Sequence, residues 1–248
     1  MELWQLAIFG LAGFSVSIFS GIAGMGGGFI MTPLAIVFGL PPAQAVSTAK
    51  FGGLATAIGS LVGMRESKRR PPLKILIPVL ILSFAIGLVV PLAIKTFNSG
   101  NYRVVMGVLL LLMIPVVIKR PVHKPRRPTL RRKVVAGGLL SVALFLQGAF
   151  SGGLDALVNA TLMGTLGMKP TEANIVKRWS QAVLNATIIV GVMGAGLIVW
   201  QVATVGMVAT FLGSSIGGRL AVNWGDRVIA NVMVVMIVLA AAALISGV

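Results

Sequence analysis

Arg65-Glu66-Ser67-Lys68-Arg69-Arg70-Pro71-Pro72-Leu73-Lys74 stands between two long apolar runs, while its counterpart later in the chain, Gly194-Ala195-Gly196-Leu197-Ile198, carries no charge. One loop earlier the contrast reverses. Lys169 sits between two apolar runs, and the equivalent Gly39 to Gln44 is uncharged. Short Lys/Arg-rich loops between apolar segments stay on the cytoplasmic side of a membrane, because translocating them is unfavourable. Basic loops at different places in the two halves therefore require the second half to lie upside down relative to the first, with both termini outside.

Composition supports the membrane as solvent. Of 248 residues, 57% are hydrophobic and 10% are charged, and the mean hydropathy is +1.00, more apolar than a water-covered surface allows. Soluble enzymes and soluble binding modules are excluded on that ground. The formal net charge of +16 raises the question of nucleic acid. The basic residues, however, gather in Arg65 to Lys74 and Lys119 to Lys133, between apolar runs, which marks topology and not a nucleic-acid face. Cysteine is absent and His123 is the single histidine, so thiolate and His-rich metal sites are not expected, nor any cofactor. Met1-Glu2-Leu3-Trp4 lacks a basic start and no small-residue cleavage site follows, so this stretch reads as a mature membrane segment.

Ten apolar segments follow from the charged and Gly/Pro punctuation: 3–22, 27–40, 43–64, 73–94, 102–118, 134–151, 155–167, 172–196, 198–220 and 227–247. Segments 27–40 and 155–167 are short for a full span and read as half-helices or re-entrant pieces. Backbone in lipid must satisfy its own hydrogen bonds, so the spans are helices. The expected fold is an all-α polytopic membrane protein, an inverted repeat of two five-segment halves with 8–10 transmembrane or re-entrant helices. Residues 1–118 form the first repeat, 119–133 a cytoplasmic basic linker holding Pro121, Pro125 and Pro128, and 134–248 the second repeat.

An internal register ties the halves together. Ser20-Gly21-Ile22-Ala23-Gly24 lies over Ser151-Gly152-Gly153-Leu154-Asp155, and Gly39-Leu40-Pro41-Pro42 over Gly167-Met168-Lys169-Pro170. Lys50-Phe51 then falls on Arg178-Trp179, Gly63 on Gly191 and Arg103 on Arg227.

Lys50 and Arg178 each lie about 10 Å into an apolar helix. A charge there costs at least ~2.5 kcal/mol, so something must compensate it. Placed near the midplane by the pseudo-two-fold, the two cations read as a site for an anion; the bland alternative is that they snorkel or pair with Asp155, and Lys177 is expected to snorkel. Gly26, Gly27 and Gly28 open a short helix, where backbone amides suit an oxyanion, although glycines there also serve close packing. No nucleotide motif follows. Ser47, Thr48, Asn159 and Gln181 supply neutral hydrogen-bonding groups near the same joints. Asp155 is the one acid deep in an apolar stretch and is expected to take up a proton, to neutralise Arg178 when the site is empty, or to form a purely structural pair. Phe51 and Trp179, each following a key cation, are expected to wall the site as gates.

Gly24-Met25-Gly26-Gly27-Gly28-Phe29-Ile30-Met31-Thr32-Pro33-Leu34, then Gly39-Leu40-Pro41, then Ala45-Val46-Ser47-Thr48 resembles the sulfite exporter TauE/SafE family of membrane proteins. The resemblance implies outward movement of sulfite or organosulfonates such as sulfoacetate across the cytoplasmic membrane. It departs from that family's pattern at Asp155 to Asn159, which replace the glycines in the second half. The expected partners are a small anionic substrate and membrane lipid, with no nucleic acid. The alternative is a membrane scaffold whose basic linker holds anionic lipids or an acidic partner.

Overall fold

A computed structural model describes residues 2–23, 28–65, 71–96, 129–150 and 154–223, with Val105 and Val108. Its described elements are all helical: α1 (Leu3–Ala23), α2 (Gly28–Val37), α3 (Pro42–Gly63), α4 (Leu73–Lys95), α5 (Leu130–Phe150), α6 (Asp155–Gly164), α7 (Pro170–Met193) and α8 (Trp200–Asn223). Eight of the ten apolar segments are thus seen as helices. Segment 102–118 apart from Val105 and Val108, segment 227–247, most of the linker, and Gly26, Gly27, Arg103 and Arg227 lie outside the described residues.

Burial is inverted relative to a water-soluble protein. Ser17, Thr32, Ser47, Thr56, Ser60, Thr210 and Ser214 are buried, while α4 presents Ile77, Ile81, Phe84, Leu88 and Leu92 outward at helical spacing. Only lipid makes that arrangement favourable. The helices α1, α3, α4 and α5 are long and apolar enough to cross a membrane.

The two short segments are helices of ten residues, α2 and α6, about 15 Å long and half the hydrocarbon thickness. Each is followed within three residues by a glycine with left-handed backbone, Gly39 at φ 91° and Gly167 at φ 66°, a conformation that costs glycine nothing. A proline then opens the next helix, Pro42 for α3 and Pro170 for α7, where its missing N–H costs no bond. The sequence register had set these same residues over one another.

Several boundaries differ from the reading of the sequence by two to four residues, among them the ends of α2 and α6 and both ends of α8. The helix α5 begins at Leu130 and not at 134, because Arg131, Arg132 and Lys133 are good helix formers and find solvent at the helix end. The helix α7 stops at Met193 and not at 196, since Gly194 caps it and Gly196 turns with φ 65°.

Helix packing repeats between the halves. The helix α8 packs against α1 and α3, and α4 against α5 and α7; α2 packs on α1 and α3, and α6 on α5 and α7; α3 and α7 pack on each other. Exchanging α1 with α5, α2 with α6, α3 with α7 and α4 with α8 turns each of these contacts into another of the set. Side chains follow the same exchange. The Thr210 hydroxyl of α8 donates to the Gly52 carbonyl of α3 at 3.1 Å, and at the matching place Ser83 of α4 meets Ser180 of α7, oxygen to oxygen at 2.6 Å. Gly63 of α3 lies against the backbone of α8 at Ser215 and Gly218, and its partner in register, Gly191 of α7, lies against Pro91 of α4. Small residues let such helices approach closely, which substitutes for the hydrophobic drive that lipid removes.

Candidate functional site

The helices α3 and α7 carry the two cations that the sequence singled out, each about 12 Å along its helix from the opening proline. Lys50 is 2% exposed and Arg178 is 0% exposed. Neither reaches for a surface. Lys50 Nζ donates to the Gln147 carbonyl of α5 at 3.4 Å, and the Arg178 guanidinium donates to the Ser20 carbonyl of α1 at 2.7 Å. Both carbonyls belong to the last turn of their described helices, where helix carbonyls run out of helical partners and the dipole end is negative. Each half therefore places its cation on the end of the other half's first helix. Arg178 also donates to the Gln181 side-chain oxygen at 3.3 Å, one helical turn on.

A third cation joins them. Lys177, expected to snorkel, is fully buried and pairs with Asp155 at 3.3 Å. The helix α7 is covered by α3, α4, α5 and α6, so adjacent side chains, separated by about 100° around the axis, can both point inward. Asp155 opens α6 and is itself fully buried. The same carboxylate oxygen that meets Lys177 accepts a hydrogen bond from the Gln147 side chain at 2.8 Å. Gln147 thus links Lys50, through its carbonyl, to Asp155, through its amide. Asp155 attracts all three cations electrostatically. Among the described residues it forms an ion pair with Lys177.

Among the described residues, three buried cations face one buried carboxylate. Burying charge in this way is costly unless a counter-charge arrives. Neutral groups stand near the same helices. Ser47 Oγ and Asn159 Oδ1 are buried and have no hydrogen-bond partner among the described residues, and Gln181 holds Arg178. Thr48 accepts the Val199 amide at 3.1 Å and so fixes the chain entering α8. The helix α2 opens at Gly28.

The two expected gates are more exposed than the cations they follow. Trp179 is 45% exposed, on the outer side of α7 while its neighbours point inward. Phe51 meets Trp200 edge-on, ring centres 5.6 Å apart, beside a Trp200 that is itself exposed. Lys177 and Gln147 are the residues that reading the sequence missed. The signal for both was Asp155, a lone acid in an apolar stretch that needed a donor on each side.

The sequence profile of the sulfite exporter TauE/SafE family matches residues 9–244. The chain is 28% identical over 238 residues to a protein of Haemophilus influenzae named "Probable membrane transporter protein", covering 93% of this chain and 91% of that one. It is 25% identical over 240 residues to "Probable membrane transporter protein ORF9" of a Sinorhizobium species, covering 93% of this chain and 88% of the relative. These relatives are named as transporters and not as enzymes. With a match running from α1 into the segment beyond α8, the chain belongs to the sulfite exporter TauE/SafE family of membrane transporters.

Proposed function

We propose that this protein is a secondary transporter moving a small sulfur oxyanion, sulfite or an organosulfonate such as sulfoacetate, across the cytoplasmic membrane, as an exporter. The observation that carries the reading is the excess, among the described residues, of buried positive charge at Lys50, Lys177 and Arg178 over the one buried carboxylate, Asp155. An oxyanion entering between the halves brings negative charge to these cations. In return it must find replacements for a tightly held hydration shell, and charge-assisted donors are the strongest available. Lys50 and Arg178 bind it by charge, with Ser47, Thr48, Asn159, Gln181 and the amides of Gly26, Gly27 and Gly28 as neutral partners. No bond is made or broken.

Alternating access comes from rocking one half against the other. The exchange symmetry of the helix contacts supports an inverted repeat, because two equivalent halves have two equivalent end states, one open to each side. Lys50 and Arg178 each grip the opposite half, so their contacts are the ones that must change as the halves move. In this arrangement both termini lie outside and the basic linker 119–133 lies in the cytoplasm.

Liposomes containing the purified protein, loaded separately with sulfite, sulfoacetate, thiosulfate or sulfate, test the reading. Efflux of sulfite or sulfoacetate well above protein-free liposomes is the expected result. Efflux of none of the four removes the transporter reading and leaves a scaffold held to anionic lipid.

A further inference from the structure

Resting on the reading as an oxyanion carrier, we propose that Asp155 is a tethered anion and Lys177 the cation it keeps occupied: the carboxylate holds the place on Lys177 that an oxygen of the cargo takes when the cargo is bound. The two side chains come from α6 and α7, and both are fully out of contact with solvent. Removing one partner of such a pair leaves an uncompensated buried charge, so the empty carrier needs a negative group on Lys177. A carboxylate oxygen and an oxygen of sulfite or a sulfonate make the same contacts, accepting from an ammonium and from an amide. One can therefore replace the other.

The hydrogen bonds show what replacement would release. The single oxygen of Asp155 that meets Lys177 also accepts from the Gln147 amide. Moving that oxygen aside presents an ammonium and an amide N–H to the incoming anion together. Lys177 adjoins Arg178 in the chain, and the Gln147 carbonyl already carries Lys50. Cargo binding on Lys177 thus reaches both of the cross-half contacts, through the peptide to Arg178 and through Gln147 to Lys50. In the repeat register Asp155 falls on Gly24, so the first half has no carboxylate of its own at that place, and the exchange occurs once per molecule.

Replacing Asp155 by Asn keeps the shape and the hydrogen bond to Gln147 while removing the competitor. In reconstituted liposomes Asp155→Asn is expected to lower the KM for sulfite by about tenfold or more and to lower kcat as well, because nothing then displaces the product. Lys177→Gln is expected to raise KM by a similar factor. Infrared difference spectra on adding sulfite to the detergent-purified protein should show a shifted carboxylate band in the wild type that is missing in Asp155→Asn. Should Asp155→Asn fail to fold, the neutral double variant Asp155→Asn with Lys177→Gln decides. A tethered anion predicts a raised KM for it, and a purely structural pair predicts the wild-type KM. A wild-type KM in that double variant, or an unchanged KM in Asp155→Asn, overturns the proposal while leaving the transporter reading intact. A wild type that neither binds nor moves any sulfur oxyanion removes both.

Discussion

The first and second halves of the molecule share a frame and differ in charge. Lys50 and Arg178 occupy matching places on α3 and α7, and each bonds a carbonyl in the last turn of the other half's first helix. Around Arg178, however, stand Lys177 and Asp155, for which α3 has no equivalent; its residues before and after Lys50 are Ala49 and Phe51. In the mechanism proposed above, symmetry of packing makes two interchangeable end states. Asymmetry of charge concentrates the ion chemistry on one side of the pseudo-two-fold, so the two cations should not weigh equally.

That inequality is open to direct attack. Arg178→Gln removes a forked donor that reaches both the Ser20 carbonyl and the Gln181 side chain, and sulfite efflux should fall by about a hundredfold or more, with Lys50→Gln falling by roughly a tenth of that factor. Equal losses would erase the distinction between the halves. Next in size is the packing contrast. A side chain at Gly63 strikes the backbone of α8, whereas one at Gly191 strikes the ring of Pro91 at 2.5 Å. Gly63→Ala should lower stability by about 1–3 kcal/mol, and Gly191→Ala by less, in thermal unfolding of the detergent-purified protein. A larger loss at Gly191 would place the tighter seam between α4 and α7.

Exchanging the cations, Lys50→Arg together with Arg178→Lys, keeps the charge and tests whether the sites are interchangeable. Efflux should fall by about tenfold, because an ammonium cannot reproduce the guanidinium's two-pronged reach. The smallest effect belongs to Trp179→Ala. Since that ring lies on the outer face, efflux should stay within about twofold of wild type. A loss as large as that of Lys50→Gln would restore Trp179 as a gate.

Much of this was legible in the sequence because lipid leaves few choices. Glycine followed by proline at 39–42 and 167–170 fixed the turns after two helices too short to span. A cation in an apolar run could only be buried or at an end, and Lys50 and Arg178 proved buried. Lys177 was misread because of its neighbour. On a helix with one lipid-facing side, two consecutive cations compete for the interior, and the second is expected to turn out. The helix α7 is covered by four others, so both turn in, and the outward place falls to Trp179. Charge order along one helix carries no record of how many neighbours surround it. With Lys177 and Arg178 both turned in, Trp179 is left facing outward.

Equilibrium binding of radiolabelled sulfite to the purified protein, compared between the wild type and Arg178→Gln at matched melting temperature, tests the buried positive charge as the seat of the cargo. Saturable binding to the wild type that weakens by about a hundredfold in the variant is the predicted result. Equal affinity in the two proteins would contradict it.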